Sequence, residues 1–317
     1  MITWVLGRGG LVGSSVEAKL LNRSSVWVPE SPIQWGDQSI FEESFKQAFT
    51  QFIEHISHED WAILWCAGNS VVSSSLGDLQ REGKSIMFIC SQLSLLPKSL
   101  QSRGILSFTS SAGGVYGGST GTIFSENTIP QPINDYGLAK LKTEQQLIDF
   151  AKYTNIKVAI FRLANIYGPN QDTGKPQGLI SAITHSLLYH KPVNIYVPLQ
   201  TVRNYIYADD VGEVIARCVT RLSTDQKSNT CLKLVASDRN ISLSSLINEF
   251  GLVYGHRPMV VNTVSRVAVK HPINLRLKSV INEPFDNFSF TPLAVGISRL
   301  KTKYLIGIGS FHQTKSE

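Results

Sequence analysis

Tyr136 and Lys140 stand four residues apart in the run Tyr136-Gly137-Leu138-Ala139-Lys140, so on a helix they share one face. A phenol and an ammonium so placed suit proton transfer at a carbinol. Tyrosine's ordinary pKa of about 10 is too high for a base near neutral pH, and a neighbouring cation lowers it. Lys140 supplies that cation and has the reach to hold a ribose as well. Ser110 and Ser111, at the end of an apolar run, add hydroxyls that orient a substrate oxygen. Taken singly, a Tyr/Lys spacing is a common helical coincidence and a serine more often closes a turn. Their order behind a glycine-rich segment near the start of the chain is what joins them into one chemistry.

The elements that must position these groups alternate along the chain. Residues 2–6 form a short apolar strand, followed by Gly7-Arg8-Gly9-Gly10-Leu11-Val12-Gly13 and a helical segment over 14–22. Strand, glycine loop and helix suit the close approach of backbone to a pyrophosphate: glycines remove the Cβ atoms, and the N–H groups that open a helix face the negative charge. A glycine-rich turn without a ligand is the plainer alternative. Residues 26–28 read as the second strand, which ends at Pro29-Glu30. A carboxylate there accepts both adenosine ribose hydroxyls and repels a 2′-phosphate, which favours NAD. Arg8 keeps NADP open, because a guanidinium in the loop suits a 2′-phosphate. A third strand over 33–35 is weakly marked, and a helix is expected over 41–56.

Trp61-Ala62-Ile63-Leu64-Trp65 reads as a buried parallel strand that opens into Cys66-Ala67-Gly68 beside the cofactor. A helix over 76–95 and a strand over 104–109 follow, and the serines emerge at that strand's end. Such alternation implies a doubly wound parallel sheet, a Rossmann α/β fold, with ligands at the carboxyl ends of the strands. Further on, a strand over 156–163 leads into Asn165, a helix spans 180–190, and a strand spans 193–197. The aspartates of Arg203-Asn204-Tyr205-Ile206-Tyr207-Ala208-Asp209-Asp210 cap a helix over 211–222. Ser242 caps a helix to 254, and a terminal helix covers 292–306. The polar, Gly- and Pro-bearing stretch 171–178 reads as a substrate loop. We expect residues 1–165 to form the dinucleotide-binding domain. Residues 166–317 are expected to form mainly a smaller α/β substrate lobe, with some segments returning to the sheet.

Composition narrows the class. The chain has 317 residues, 42% hydrophobic and 17% charged, which is ordinary for a globular enzyme or binding protein. Its net charge of +6 comes from scattered Lys and Arg without a nucleic-acid motif, and suits an anionic small substrate instead. Cys66, Cys90, Cys218 and Cys231 lack metal-ligand spacing, so neither a metal site nor a disulfide framework is expected. His185, His190, His256 and His271 are isolated. No apolar run is long enough to span a membrane. Met1 to Leu6 runs into the glycine loop without the order of a secretory signal, so the expected location is the cytoplasm.

The ordered set GRGGLVG (7–13), CAG (66–68), SSAGGVYG (110–117), YGLAK (136–140), FRLANIYGP (161–169) and RNYIYADDV (203–211) resembles the extended short-chain dehydrogenase/reductase family, in particular its nucleotide-sugar epimerases, dehydratases and reductases. The resemblance implies Tyr136 as acid/base, Lys140 as its electrostatic and ribose partner, and Ser111 as the catalytic hydroxyl, with Ser110 the alternative. Some relatives carry the reactive Ser or Thr one residue later, at Ala112. The resemblance also implies Asn165 and Arg203 on the sugar-nucleotide diphosphate, backbone near Leu163 beside the nicotinamide, and a homodimer. An Arg-Pro-x-Asp run found in many relatives survives here only as Arg257-Pro258. The leading expectation is an NAD-dependent 4-epimerase working through a 4-keto intermediate. An NADPH-dependent ketosugar reductase comes second and a dehydratase third, because Ala112-Gly113-Gly114 offers no acid. A catalytically silent dinucleotide-binding sensor or scaffold is the alternative of another class.

Overall fold

A computed structural model describes residues 1–68, 70–171, 178–226, 228–263, 273–281 and 288–313, with side chains up to residue 306. Residues 172–177 of the polar loop and His271 lie outside the described residues.

The first half runs β1 (Ile2–Leu6), α1 (Leu11–Leu20), β2 (Ser25–Trp27), α2 (Gln38–Ile56), β3 (Trp61–Trp65), α3 (Leu76–Ser94), α4 (Lys98–Gln101), β4 (Gly104–Ser111), α5 (Ala112–Val115), α6 (Asp135–Tyr153) and β5 (Lys157–Leu163). The second half adds β6 (Asn165–Tyr167), α7 (Leu179–Tyr189), β7 (Val193–Ile195), β8 (Val202–Tyr207), α8 (Ala208–Thr224), β9 (Thr230–Val235), β10 (Asn240–Ser242), α9 (Leu243–Tyr254), β11 (Val260–Asn262) and α10 (Leu293–Gln313).

Six strands form one parallel sheet in the order β2-β1-β3-β4-β5-β9. Successive strand residues point to opposite faces, and both faces are apolar. Trp4, Leu6, Ile63 and Trp65 pack with Phe41, Phe45, Ile86, Ile89 and Leu147 of α2, α3 and α6. Val5, Ala62, Leu64 and Ile105 pack with Val16, Leu20, Val211, Val214 and Ile215 of α1 and α8. A sheet clad by helices on both sides is the doubly wound arrangement that the βαβ alternation implies. Strand order turns back between β1 and β3, and ligands of such sheets bind outside that point.

Two small sheets, β10-β8-β6 and β11-β7, build a second core with α7, α9 and α10 around Tyr167, Ile183, Phe250 and Leu300. Chain 230–235 returns to the main sheet as β9, beside β5.

Three local expectations differ from the structure. Residues 33–35 form no strand: Pro29 and Pro32 interrupt backbone pairing, and Trp35 packs on Trp65 and Phe41 instead. β4 runs two residues further than expected and carries Ser110 and Ser111 within it. Asp209 and Asp210 do not cap α8 but lie in its first turn behind Tyr207. The Asp210 carboxylate accepts from the Thr291 backbone N–H at 2.7 Å and hydroxyl at 2.8 Å, which ties the approach to α10 onto α8.

Candidate active site

The glycine loop sits at the switch point. Gly7 has φ +84°, and a Cβ there would come within 2.6 Å of the Ala67 nitrogen, so the ends of β1 and β3 touch only because residue 7 has no side chain. The Gly10 N–H donates to the Gly7 carbonyl at 3.0 Å. α1 then starts at Leu11 with Gly10 as N-cap and no side-chain cap, which leaves its opening N–H groups for a ligand.

From this turn a cleft of about 850 Å³ extends across the strand ends, lined by Gly7, Gly9, Gly10, Leu11 and Val12 at one end and by Asn165 and Arg203 at the other. Cys66, Ala67, Gly68, Ser110, Ser111, Tyr136, Lys140 and Leu163 line its middle. Burial pushes the Cys66 thiol up to about 12, so it stays protonated and unreactive near neutral pH. A second cavity of about 510 Å³ adjoins through Gly7, Trp35, Gly68 and Glu82.

β4 and β5 end level, with Ser111 paired to Leu163. The Ser111 hydroxyl accepts from the Gly114 N–H at 3.2 Å and so caps α5. Asn134 caps α6 by accepting from the Gly137 N–H at 2.9 Å, which places Tyr136 in the helix's first turn. α6 crosses α5 so closely that a Cβ on Gly137 would lie 2.1 Å from the Gly114 carbonyl oxygen. This contact sets the Tyr136 helix against the turn that follows Ser111. Ser110 takes the other direction: its hydroxyl donates to buried Glu144 at 2.5 Å. Glu144 also receives Arg162 through both Nε and Nη2, the shortest contact 2.6 Å.

Lys140 is buried, with Nζ 5.8 Å from the centre of the Tyr136 ring and 4.8 Å from that of Phe108. It donates to Glu82 at 2.6 Å and to the Thr109 carbonyl at 3.2 Å. Burial by itself lowers an ammonium's pKa; here the charge and hydrogen bond of Glu82, with Tyr136 and Glu144 behind, outweigh it and hold Lys140 above its ordinary value. Lys140 therefore stays charged throughout the neutral range.

In the second lobe Asn165 donates to the Asn204 carbonyl at 3.0 Å. Arg203 donates to the Val202 and Ile273 carbonyls at 2.8 and 3.4 Å and has no carboxylate partner among the described residues. Burial lowers its pKa below the ordinary guanidinium value, with Tyr205 opposing, and a guanidinium still remains charged at neutral pH.

Three expected cofactor residues stand apart from the cleft walls. Arg8 is gripped by Glu17 through two bonds of 2.8 and 2.6 Å. Exposed Glu30 accepts from Gln51 at 3.0 Å. Gly13 faces the Gly7 carbonyl, where a Cβ would come within 2.1 Å. Conversely, Glu82 and Trp35 line both cavities without any sequence motif to announce them. Among the described residues no helix is long and apolar enough to cross a membrane, and no group of three His, Cys, Asp or Glu gathers as metal ligands.

Residues 91–231 match the NAD dependent epimerase/dehydratase family. The chain is 32% identical over 140 residues to a dTDP-4-dehydro-6-deoxyglucose reductase of Escherichia coli, a stretch covering 44% of this chain and 42% of the reductase. It thus spans less than half the length of that relative. Among solved structures, the UDP-glucose 4-epimerase of Thermotoga maritima with UDP-glucose superposes with a TM-score of 0.74 at 21% identity, over 97% of this chain and 100% of the other. MoeE5 in complex with UDP-glucuronic acid and NAD gives 0.72 at 18%, over 97% and 100%. With its motifs in family order on this fold, the chain resembles the extended short-chain dehydrogenase/reductase family, and residues 91–231 carry the match to its NAD dependent epimerase/dehydratase type.

Proposed function

We propose that the protein is a nucleotide-sugar oxidoreductase or epimerase that uses a bound nicotinamide dinucleotide. The observation that carries this is the single cleft uniting an uncapped helix N-terminus behind Gly7 to Gly10, the Tyr136/Lys140 pair with Ser111, and Asn165 with Arg203. A dinucleotide fits this donor set: the turn lacks side chains where a pyrophosphate needs backbone N–H groups, and charged Lys140 stands where a ribose hydroxyl needs a donor. Residues 1–165 hold the dinucleotide; most of 166–317 holds the sugar nucleotide, with the Arg203 guanidinium suited to its phosphates.

The bound dinucleotide supplies the acceptor, and later the donor, of a hydride at the sugar's C4. Tyr136 takes the proton of the 4-hydroxyl as the hydride leaves, which yields a 4-keto sugar, and gives the proton back when the hydride returns to the other face. Ser111 orients the sugar oxygen, and Lys140 stabilises the phenolate. NAD is the favoured cofactor, because Arg8 is already engaged by Glu17 and so is not poised for a 2′-phosphate. Separate titrations with NADH and NADPH decide this, and tighter binding of NADPH would reverse it.

Net reduction of a ketosugar is the second reading, favoured by the match to the E. coli reductase. UDP-, GDP- and dTDP-sugars tested for protection against thermal unfolding, then for turnover, separate the two: an epimerase interconverts its sugar without consuming cofactor, whereas a reductase consumes one equivalent per turn. The proposal includes a homodimer in the cytoplasm. Leu76 and Leu95 at the ends of α3 and Leu138 and Tyr153 on α6 are exposed, which supports pairing along those helices, and light scattering tests it.

A further inference from the structure

Lys140 has a counter-ion that none of the ordered motifs contains. Glu82 reaches it from α3, and a lysine ammonium has three donors. Glu82 takes one at 2.6 Å and the Thr109 carbonyl takes another at 3.2 Å, so one donor direction remains for Tyr136 and the cleft. Glu82 is itself closely held. Its Oε2 is buried without a hydrogen-bond partner among the described residues, and a Cβ on Gly68 would come within 2.9 Å of that oxygen. The carboxylate is thus confined between the Gly68 turn and Nζ, where it fixes the direction of the ammonium.

Its charge matters as much as its shape. A bare ammonium about 6 Å from a phenol strongly favours the phenolate in a water-poor site, whereas an ammonium already paired with a carboxylate acts on it as a dipole, whose field falls off faster. The other groups facing Lys140 do not change this balance. Glu144, on the same helix, is neutralised by Arg162 of β5, β4 and α5 carry no charged side chain, and Asp78 and Arg81 further along α3 pair with each other.

We propose that Glu82 is a positioning residue: its carboxylate aims Lys140 Nζ and, by cancelling part of its charge, sets the pH at which Tyr136 releases its proton. This rests on the assignment of Tyr136 as acid/base, but it is testable without cofactor or sugar. The phenolate absorbance of the protein is titrated for wild type, Glu82→Gln and Glu82→Asp, each with its Tyr136→Phe counterpart subtracted to isolate Tyr136.

Glu82→Gln keeps the shape and an acceptor but removes the charge, and the Tyr136 titration is expected to move to lower pH by about one unit. Glu82→Asp keeps the charge but withdraws it by one methylene. It should shift in the same direction by less, which decides the question if the Gln variant does not fold. A Tyr136 titration unmoved in the folded variants overturns the proposal, since a merely structural Glu82 would leave it in place. If the titration moves but Tyr136→Phe retains full turnover, the control by Glu82 stands and the acid/base assignment falls.

Discussion

Two carboxylates approach the end of β4 from different helices, and they are treated differently. Glu144 of α6 is 1% exposed, and both of its oxygens are engaged by Arg162 and Ser110. Arg162 passes the chain of contacts to the Tyr116 hydroxyl at 2.7 Å, which donates to the Ser125 carbonyl at 2.7 Å. Glu82 of α3 has one oxygen on Lys140 and the other without a partner among the described residues, and it borders both cavities. The first network is closed and fixes the serine-bearing strand end to the loop that follows. The second is left open at the cleft, where the proposed function needs a ligand and a proton to be handled. Unsatisfied buried polar atoms cost free energy, and they persist where chemistry needs them.

The comparison breaks first at its closed side. Glu144→Ala leaves Arg162 buried without its counter-ion and should cost about 3–5 kcal/mol of stability, the range for one partner of a buried pair, measured by urea unfolding. Glu82→Ala should cost clearly less in the same experiment, because Lys140 keeps the Thr109 carbonyl and borders the cleft. Equal losses would erase the distinction.

Gly68→Ala comes next. Gly68 has φ +138° and faces the Glu82 carboxylate, so the substitution should cost about 1–3 kcal/mol through backbone strain and should displace Glu82, moving the Tyr136 titration as Glu82→Gln does. The serines sharpen the contrast at smaller amplitude. Ser110→Ala removes a donor from buried Glu144 and should lower stability by about 1–3 kcal/mol with little effect on KM. Ser111→Ala removes only the cap of a one-turn helix, costs about 1 kcal/mol, and should lower kcat by about tenfold or more through the lost hydrogen bond to the reacting oxygen.

The smallest effect is a pH dependence. The pKa of Lys140 is raised in the folded protein above 10.5, so its pairing contributes stability that is fully present below the unfolded value and is lost as pH rises through the folded one. The stability difference between wild type and Glu82→Gln should therefore hold steady through neutral pH and shrink only above about pH 10.5. A difference that shrinks on acidification through pH 6 would contradict the assignment.

How much of this was legible in the chain follows from what each signal depends on. β1, the Gly7 turn, β3, β4 and α6 were readable because apolar runs and contiguous motifs need only neighbours in sequence. Tyr136, Lys140, Ser111, Asn165 and Arg203 line one cleft, and each lies in or beside a motif: Ser111 ends β4, Asn165 follows β5, Tyr136 and Lys140 lie in the first two turns of α6, and Arg203 lies near the start of β8. Glu82 was not readable. It lies 58 positions from Lys140, on a polar face of α3 that looks like any solvated helix face. Glu30 and Arg8 show the converse, since nothing in sequence reveals that Gln51 and Glu17 compete for them. The split of Ser110 and Ser111 between two networks depends on where β4 ends, and boundaries are what local propensity fixes least.

The central claim is that Tyr136, set against charged Lys140, moves the proton of the reacting hydroxyl. The direct measurement is Tyr136→Phe, assayed for dinucleotide affinity and for turnover of the sugar nucleotide identified by thermal protection. The expected result is affinity within about twofold of wild type and turnover reduced about 10²–10⁴-fold, the range for a lost general acid/base. Turnover at the wild-type level in the folded variant would contradict the account.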